Sequence, residues 1–296
     1  MQPRTKRITP PVDSLNRSSE CLLPWAGGAR VRPAVRTIPF VKASACGNDF
    51  LLIDAALAPS DIAAFTRRIC DRHDGVGADG VEWMTPHFST DLEIRLINAD
   101  GSPAEISGNG TRCVATYVCA TQGKERIAIL TGAGPKVCVL TARRDFEFEF
   151  ETEMGKATVE PEVILKASSA EVRGIPVSIG NPHFVIIVPE FTRNWQSQAA
   201  EIQKLPQFPD GVNVEYVVVD SKFDLRARFF ERGAGETRSS GTGSCASAVA
   251  AMSAGRVDST VKVHAPGGTQ TVRRQGNDIF LRGPAHLVCE GEFYLG

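Results

Sequence analysis

The chain has 296 residues, 42% of them hydrophobic, and its 33 Lys or Arg nearly balance its 34 Asp or Glu, for a net charge of −1. This balance gives no reason to expect nucleic acid or a membrane surface as a partner, and no apolar run is long enough for a secretory signal or a membrane span. Eight cysteines are scattered without a C-x-x-C pair, so the pattern indicates neither a metal site nor a redox centre. Their even number would permit disulfides in a secreted chain, but without a signal we expect reduced thiols and a cytoplasmic protein.

The first 36 residues differ from the rest in composition. They contain seven Lys or Arg, two acidic residues and five Pro, with no hydrophobic period. A transit peptide is compatible with this composition, but the prolines and the lack of an amphipathic run favour a disordered or non-core extension over residues 1–36. The remaining roughly 260 residues suit two domains of ordinary size.

Extended segments dominate the first half. Residues 40–54 are predicted to form a strand that breaks at Gly47-Asn48-Asp49 and then resumes. Apolar residues with helical spacing over 61–72, preceded by Ser60, predict a capped helix. Two further strands, each with one buried face, are predicted by alternation at 92–96 and at 146–151.

Two short motifs recur at one common separation. Ser-Gly-Asn-Gly at 107–110 is answered by Ser-Gly-Thr-Gly at 240–243, and Gly-Asn at 47–48 is answered at 180–181 with the same offset. A third pair, Asp-Gly-Val at 79–81 and at 210–212, has a slightly shorter offset. Shared spacing of this kind predicts one duplicated domain rather than unrelated glycine turns.

Each Ser-Gly-x-Gly motif precedes an apolar run that predicts a helix. The runs cover 111–122 and 244–254, and each is followed by a glycine. The free N–H groups of a helix's first turn carry partial positive charge, so each motif is a candidate site for a carboxylate or phosphate. A lone serine beside glycine is usually a plain helix cap. Two halves related by an approximate twofold would direct both helix N-termini at one cleft.

The second half follows the same plan as the first. About two helices per half are predicted, with strand as the majority class. Its predicted strands lie at 177–179, 214–219 and 225–230, followed by a closing meander at 261–263, 270–274, 279–282 and 288–294.

Six motifs in combination resemble diaminopimelate epimerases. They are Gly-Asn-Asp-Phe at 47–50, Asn-Ala-Asp-Gly at 98–101, Ser-Gly-Asn-Gly-Thr-Arg-Cys at 107–113, Gly-Asn-Pro-His at 180–183, Glu-Arg-Gly-Ala-Gly-Glu-Thr at 231–237 and Ser-Gly-Thr-Gly at 240–243. The resemblance covers essentially the whole chain after residue 37. It implies an α/β (α+β) fold of two pseudo-symmetric domains, each a curved, mostly antiparallel sheet around a central helix.

The resemblance also implies domain limits and an activity. The expected halves are 37–153 and 154–285, with 286–296 returning to the first. The family interconverts LL- and meso-diaminopimelate without a cofactor, on the route to lysine and peptidoglycan, and a homodimer is the expected assembly. Inversion of an α-carbon needs a base on one face and an acid on the other, because a single group would return the proton to the side it left.

Family members use one cysteine in each half for this task, but here both positions are serine, Ser107 and Ser240. Cys113 and Cys245 lie further along the helices and are expected to pack in the core. Cys46 is a nearer spare thiol, although a small buried residue at a bend is its expected role. By resemblance, His183 and Glu231 tune the acid–base groups, and the substrate is bound by Asn48, Asn98, Gly108, Asn109, Asn181, Asn213, Glu231, Arg232, Gly241 and Thr242.

Each of these residues, taken alone, has a purely structural explanation, since Asn beside Gly is usually a turn and Glu-Arg is usually a solvated pair. Their joint match favours the functional reading. Two alternatives remain beside an epimerase of diaminopimelate. One is a related isomerase or lyase that acts on another amino or hydroxy acid, and the other is a homologue that binds an amino acid without turning it over.

Overall fold

The computed structural model describes residues 36–167 and 171–295, and within it Thr37–Leu295 forms one unit. The extension expected at 1–36 lies outside the described residues except for its last residue. None of the helices in these described ranges is long and apolar enough to cross a membrane.

The first half contains eight strands and two α-helices, with a short 3-10 helix at Ala55–Leu57. The elements are β1 (Thr37–Ala45), β2 (Asn48–Asp54), α1 (Ile62–Cys70), β3 (Gly80–Pro86), β4 (Leu92–Asn98), β5 (Pro103–Ala104), α2 (Gly108–Gln122), β6 (Arg126–Thr131), β7 (Gly134–Arg144) and β8 (Glu147–Lys156).

The second half begins with two short strands and then repeats the order of the first. The elements are β9 (Thr158–Val159), β10 (Val163–Lys166), β11 (Glu171–Ser178), β12 (Pro182–Ile187), α3 (Trp195–Ile202), β13 (Asn213–Val219), β14 (Asp224–Glu231), β15 (Gly235–Thr237), α4 (Gly241–Ser253), β16 (Thr260–Ala265), β17 (Gly268–Gln275) and β18 (Asp278–Tyr294). The described residues therefore contain two α-helices per half, as predicted.

Strand pairing confirms that the halves have the same topology. In the first half, β2–β3 and β4–β6 are parallel pairs and the neighbouring pairs are antiparallel. In the second half, β12–β13 and β14–β16 are the corresponding parallel pairs. The fold is α+β, with mostly antiparallel strand pairs in each half, and all the described strands belong to one 18-stranded sheet.

The strand register shows that one of the three motif pairs was aligned wrongly. Phe50 pairs with Gly80, and His183 pairs with Asn213, so the strands are related by the same offset as the two Ser-Gly-x-Gly motifs. The Asp-Gly-Val pair, whose offset is shorter, was therefore a wrong alignment. Gly80 and Val81 are the first residues of β3, whereas residues 210–212 precede β13 and include Gly211 in the left-handed region, with φ 74°.

The two strands predicted at 279–282 and 288–294 are one continuous strand, β18, of 17 residues. Its first part pairs with β8 and β17, and its last part pairs with β1. Leu281 packs in the apolar core around α4, and Ala285 packs in the core around α2. One strand thus links the two cores.

Helices α2 and α4 are each enclosed by a core of sheet side chains, which explains their weak amphipathicity in the sequence. Cys113 and Cys245 are fully buried in these cores, as expected. Burial raises the pKa of the Cys245 thiol to about 12, so this group stays protonated at neutral pH.

Three local predictions were wrong. Helix α1 is capped by Asp61, whose carboxylate accepts from the Ala64 amide at 2.8 Å, and not by Ser60. This helix also ends at Cys70, earlier than predicted. Phe146 lies in the turn before β8 with 68% of its surface exposed, and the buried alternation begins at Phe148.

We expect Phe184→Ala to lower the free energy of unfolding by about 3–5 kcal/mol, because this fully buried ring fills the space above Gly174. Phe88→Ala is the matched control, since Phe88 is 97% exposed and its loss should change stability by less than about 0.5 kcal/mol. Urea denaturation of the two variants measures both values, and equal losses would contradict the packing described here.

Candidate active site

Ser107 and Ser240 cap the two central helices in the same way. Each has extended backbone dihedrals. The Ser107 hydroxyl accepts a hydrogen bond from the Gly110 backbone N–H, and the Ser240 hydroxyl accepts one from the Gly243 backbone N–H, both at 3.1 Å. Such caps satisfy one of the free N–H groups of a first turn and leave others available. Ser240 is buried and Ser107 is half-buried.

The first turns of α2 and α4 are in contact. A Cβ placed on Gly241 would lie 3.5 Å from the Cα of Gly108 and 3.2 Å from Leu281 Cδ2. Glycine at both positions lets the two backbones approach closely. Two helix N-termini, each equivalent to about half a positive charge, therefore converge on one place, where an anion is favoured.

Asn48 and Asn109 join the β1–β2 turn to the first turn of α2. The Asn48 amide donates to Asp79 Oδ2 at 2.5 Å, and Asn109 Nδ2 donates to Asn48 Oδ1 at 3.3 Å. Asn109 also donates to Ser239 Oγ at 3.4 Å and so reaches the second half. Cys46, at the same turn, is buried with φ 53° and lies near Gly268, in agreement with the structural role expected for it.

A cluster of charges supports this turn. Asp49 contacts Lys42 Nζ at 2.9 Å and Arg72 at 2.8 Å, and Arg72 also contacts Asp79 at 2.7 Å. Burial by itself raises the pKa of Asp49, but hydrogen bonds from Arg72 and Lys42 outweigh it and hold the pKa below its ordinary value.

In the second half, Asn181 and His183 form the equivalent network with an added acid. The fully buried imidazole of His183 donates from Nε2 to Asn181 Oδ1 at 2.9 Å, and its Nδ1 shares a proton with Glu215 Oε1 at 2.7 Å. Asn181 donates to Thr242 Oγ1 at 3.4 Å, which connects the network to the first turn of α4. Burial raises the pKa of Glu215, although the His183 pair opposes the shift.

Glu231 lies beside the second serine. Its Oε1 accepts from Thr237 Oγ1 at 2.5 Å, and its Oε2 accepts from Ser240 Oγ at 3.3 Å. Burial raises the pKa of Glu231, with the hydrogen bond from Thr237 acting against the shift. Glu231 is therefore a carboxyl group with a raised pKa in hydrogen-bond contact with the second serine.

The other predicted binding residues surround these groups less closely. Asn213 accepts the Arg232 amide at 2.9 Å and donates to the Pro182 carbonyl at 3.0 Å, so it holds three segments together. The exposed Arg232 side chain donates to the Asp210 carbonyl at 3.0 Å. Asn98 donates to Ser102 Oγ at 3.1 Å, within its own turn.

Two buried glutamates were missed by the sequence reasoning. Glu82 on β3 and Glu215 on β13 are fully buried, and they occupy equivalent places within Val-Glu-Trp at 81–83 and Val-Glu-Tyr at 214–216. This echo carries the same offset as the Ser-Gly-x-Gly motifs and was available in the sequence. Each carboxyl group lies against the last glycine of such a motif, Gly110 or Gly243.

Arg112 is a fully buried cation between the two halves. Its Nη2 donates to Asn109 Oδ1 at 2.5 Å. It also donates to Gln270 Oε1 at 2.7 Å when the Gln270 amide is turned so that its oxygen faces the guanidinium. Its guanidinium packs against Gly283 of β18, where a Cβ would lie 3.1 Å away. A polar network thus crosses from α2 to β17 beneath the helix N-termini.

These features define a protein of two related halves in which two serine-capped helix N-termini meet. The diaminopimelate epimerase family matches residues 40–160 and 175–288. The chain therefore belongs to the diaminopimelate epimerase family.

Sequence relatives agree with this assignment, and solved structures share the fold. Diaminopimelate epimerases of Pelotomaculum thermopropionicum and Moorella thermoacetica are 35% and 36% identical to the chain, over 86% of it and 98% and 99% of their own lengths. The structure of a probable proline racemase of Agrobacterium radiobacter shares the fold with a TM-score of 0.69 and 16% identity, over 88% of this chain and 94% of its own. The structure of a hydroxyproline epimerase of Agrobacterium vitis shares it with a TM-score of 0.67 and 18% identity, over 88% of this chain and 93% of its own.

We expect Lys42→Met to reduce stability at neutral pH by roughly 1 kcal/mol and to flatten its decline in acid. The folded pKa of Asp49 is lowered, so its ion pairs stabilise the protein above the unfolded pKa of about 3.9 and are lost as the pH falls towards the folded value. Urea denaturation between pH 6 and pH 3 measures the effect. Arg173→Met, which removes an exposed pair with Glu162, is the control and should leave the profile unchanged.

Proposed function

We propose that the chain is a cofactor-independent epimerase of diaminopimelate, with Ser107 and Ser240 at the two acid–base positions. The observation that carries this proposal is the contact between the two serine-capped helix N-termini at Gly108 and Gly241. It supplies one anion site, with a hydroxyl group of each half beside it. Family membership supports the substrate.

The substrate's α-carboxylate binds the free N–H groups of the first turns, at Gly108-Asn109 and Gly241-Thr242. These groups also stabilise the negative charge that develops on the carboxylate as the α-proton leaves. Ser107 and Ser240 flank the α-carbon from the two halves, so one removes a proton while the other delivers one to the opposite face. Glu231 accepts a hydrogen bond from Ser240 and shares its proton.

The distal carboxylate and amino group are bound by the polar side chains around the cleft. Arg232 is exposed and free to redirect its planar fork from a backbone carbonyl to a carboxylate, which pairs with guanidinium in a bidentate manner. Asn48, Asn98, Asn181, Asn213 and Glu231 contribute the remaining hydrogen bonds. We further propose that the protein acts in the cytoplasm as a homodimer, on the route to lysine.

Serine lowers the expected rate without removing the binding site. A thiol has a reference pKa of about 8.5 that a helix N-terminus lowers, whereas a hydroxyl group is a far weaker acid and needs a neighbouring base. The serine pair is also the observation that favours the second candidate, an isomerase of this fold acting on another amino or hydroxy acid.

Calorimetric titration with meso-diaminopimelate should give a saturable isotherm, which Arg232→Ala weakens by roughly 10-fold to 100-fold because a charge-assisted pair is worth about 1.5–3 kcal/mol. Arg228→Ala is the matched control, because Arg228 lies on β14, which ends just before Arg232, and its half-exposed guanidinium contacts Glu236 at 4.0 Å. Absence of heat and of any thermal shift at millimolar ligand would contradict the substrate assignment.

Proton NMR of LL-diaminopimelate in deuterium oxide should show slow α-proton loss with the parent and loss at least about 10²-fold faster with Ser107→Cys, Ser240→Cys, because thiolates replace hydroxyl groups. Exchange by the cysteine form but not by the parent would show that the parent binds the substrate and lacks only the two thiols needed for proton transfer. Exchange by neither form, with turnover of another amino or hydroxy acid, would support the second candidate.

A further inference from the structure

The two halves differ in the acid–base groups that they place near their serines. At the offset that relates Ser107 to Ser240, Asn98 and Phe50 of the first half correspond to Glu231 and His183 of the second. The second half therefore has two carboxyl groups and an imidazole near Ser240. A reaction that moves protons on both faces of a carbon needs a proton source in the first half as well.

Glu82 is the buried carboxyl group of the first half. It is fully buried, and neither carboxyl oxygen has a hydrogen-bond partner among the described residues. A Cβ placed on Gly110 would lie 2.0 Å from Glu82 Oε1 and 3.3 Å from Ser107 Cβ. The carboxyl group thus occupies the space left free by a glycine in the first turn of α2, next to the residue that caps that helix.

The neighbours of Glu82 are apolar and keep its proton in place. Leu52 of β2 and Leu96 of β4 pair with it in the sheet, and both belong to the core around α2. From α2 the titratable neighbour is the Cys113 thiol, whose pKa burial raises far above neutrality. Burial likewise raises the pKa of Glu82 to about 8, so the group is a neutral acid at pH 7.

Two other carboxylates of the first half, Asp49 and Asp79, are already in ion pairs. Asp49 is paired with Lys42 and Arg72, and Asp79 is paired with Arg72 and accepts from Asn48. The hydrogen bonds from Arg72 and Lys42 hold the pKa of Asp49 below its ordinary value, so Asp49 is charged and has no proton to give. Glu82 differs from both because it pairs with no cation of the described residues and is buried as an acid.

Given the proposed function, we propose that Glu82 is the proton source of the first half and acts through the Ser107 hydroxyl. In one direction the hydroxyl O–H bond breaks as a C–H bond forms on the α-carbanion. Glu82 and Ser107 are not hydrogen-bonded in this structure, so the carboxyl group has to move into hydrogen-bond contact with the Ser107 oxygen when substrate binds. The Glu82 O–H bond then breaks as the Ser107 O–H bond re-forms, and the carboxylate remains. In the other direction Glu82 takes back a proton from Ser107 as the hydroxyl oxygen removes the α-proton, whose electron pair stays on carbon.

A ligand-free experiment tests whether Glu82 holds a proton. Because its folded pKa is raised above the unfolded value of about 4.3, the native state binds the extra proton, and the unfolding constant of the parent should increase by up to about tenfold per pH unit between pH 5 and pH 8 from this group. Glu82→Gln, which has the shape of the neutral acid, should remove this increase. Glu93→Gln, an exposed glutamate on the neighbouring strand β4, should not. Equal profiles for the parent and Glu82→Gln would overturn the proposal.

A second experiment tests the role in the reaction, by proton NMR in deuterium oxide with LL- and meso-diaminopimelate. Glu82→Gln should lower the epimerisation rate by about 10²-fold or more while one of the isomers still exchanges its α-proton without inversion. Glu231→Gln, which removes the carboxyl group of the second half, should also stop inversion. The isomer that still exchanges its α-proton in Glu231→Gln should be the one that does not exchange in Glu82→Gln.

The outcomes separate this inference from the function on which it rests. Epimerisation by the parent with an unchanged rate in Glu82→Gln would overturn the role of Glu82 and leave the proposed function standing. No exchange by the parent or by its Ser107→Cys, Ser240→Cys form would remove the proposed function, and the inference with it. Loss of inversion in Glu82→Gln with one-sided exchange would support both.

Discussion

The contact between the first turns of α2 and α4 is the constraint on which the rest of the site depends. Two helix N-termini repel each other electrostatically, yet Gly108 and Gly241 lie in van der Waals contact because neither carries a side chain. An arrangement of two positive ends favours an anion between them. The serine caps, the two asparagine networks and Glu231 are all arranged around this point.

The sheet holds the two helices in this unfavourable position. Each helix is enclosed by its own apolar core, and burial of that surface outweighs the repulsion between the helix ends. The long strand β18 takes part in both cores, through Leu281 and Ala285, and pairs with β8 and β1 of the first half. One continuous strand therefore connects the cores that enclose the two helices.

Buried polar groups distinguish the halves more than the backbone does. The second half pairs Glu215 with His183, whereas the first half leaves Glu82 without a partner among the described residues and places the charge of Arg112 between the halves. An unpaired buried acid remains protonated because ionisation in an apolar core costs more than retention of the proton. The duplicated fold thus has different buried polar groups in its two halves.

The sequence by itself determined the duplicated α+β plan, the two serine-capped helices and the family, because glycine turns, helix caps and strand alternation are local patterns. It also contained the Val-Glu-aromatic echo of Glu82 and Glu215, which was obscured by the misleading Asp-Gly-Val pair. Only the tertiary structure decided which of the two motif offsets relates the strands of the halves, the continuity of β18 and the contact of Gly108 with Gly241. These features depend on pairing and burial between residues far apart in the chain, and no local pattern states which of them approach each other or which carboxyl groups lose their contact with water.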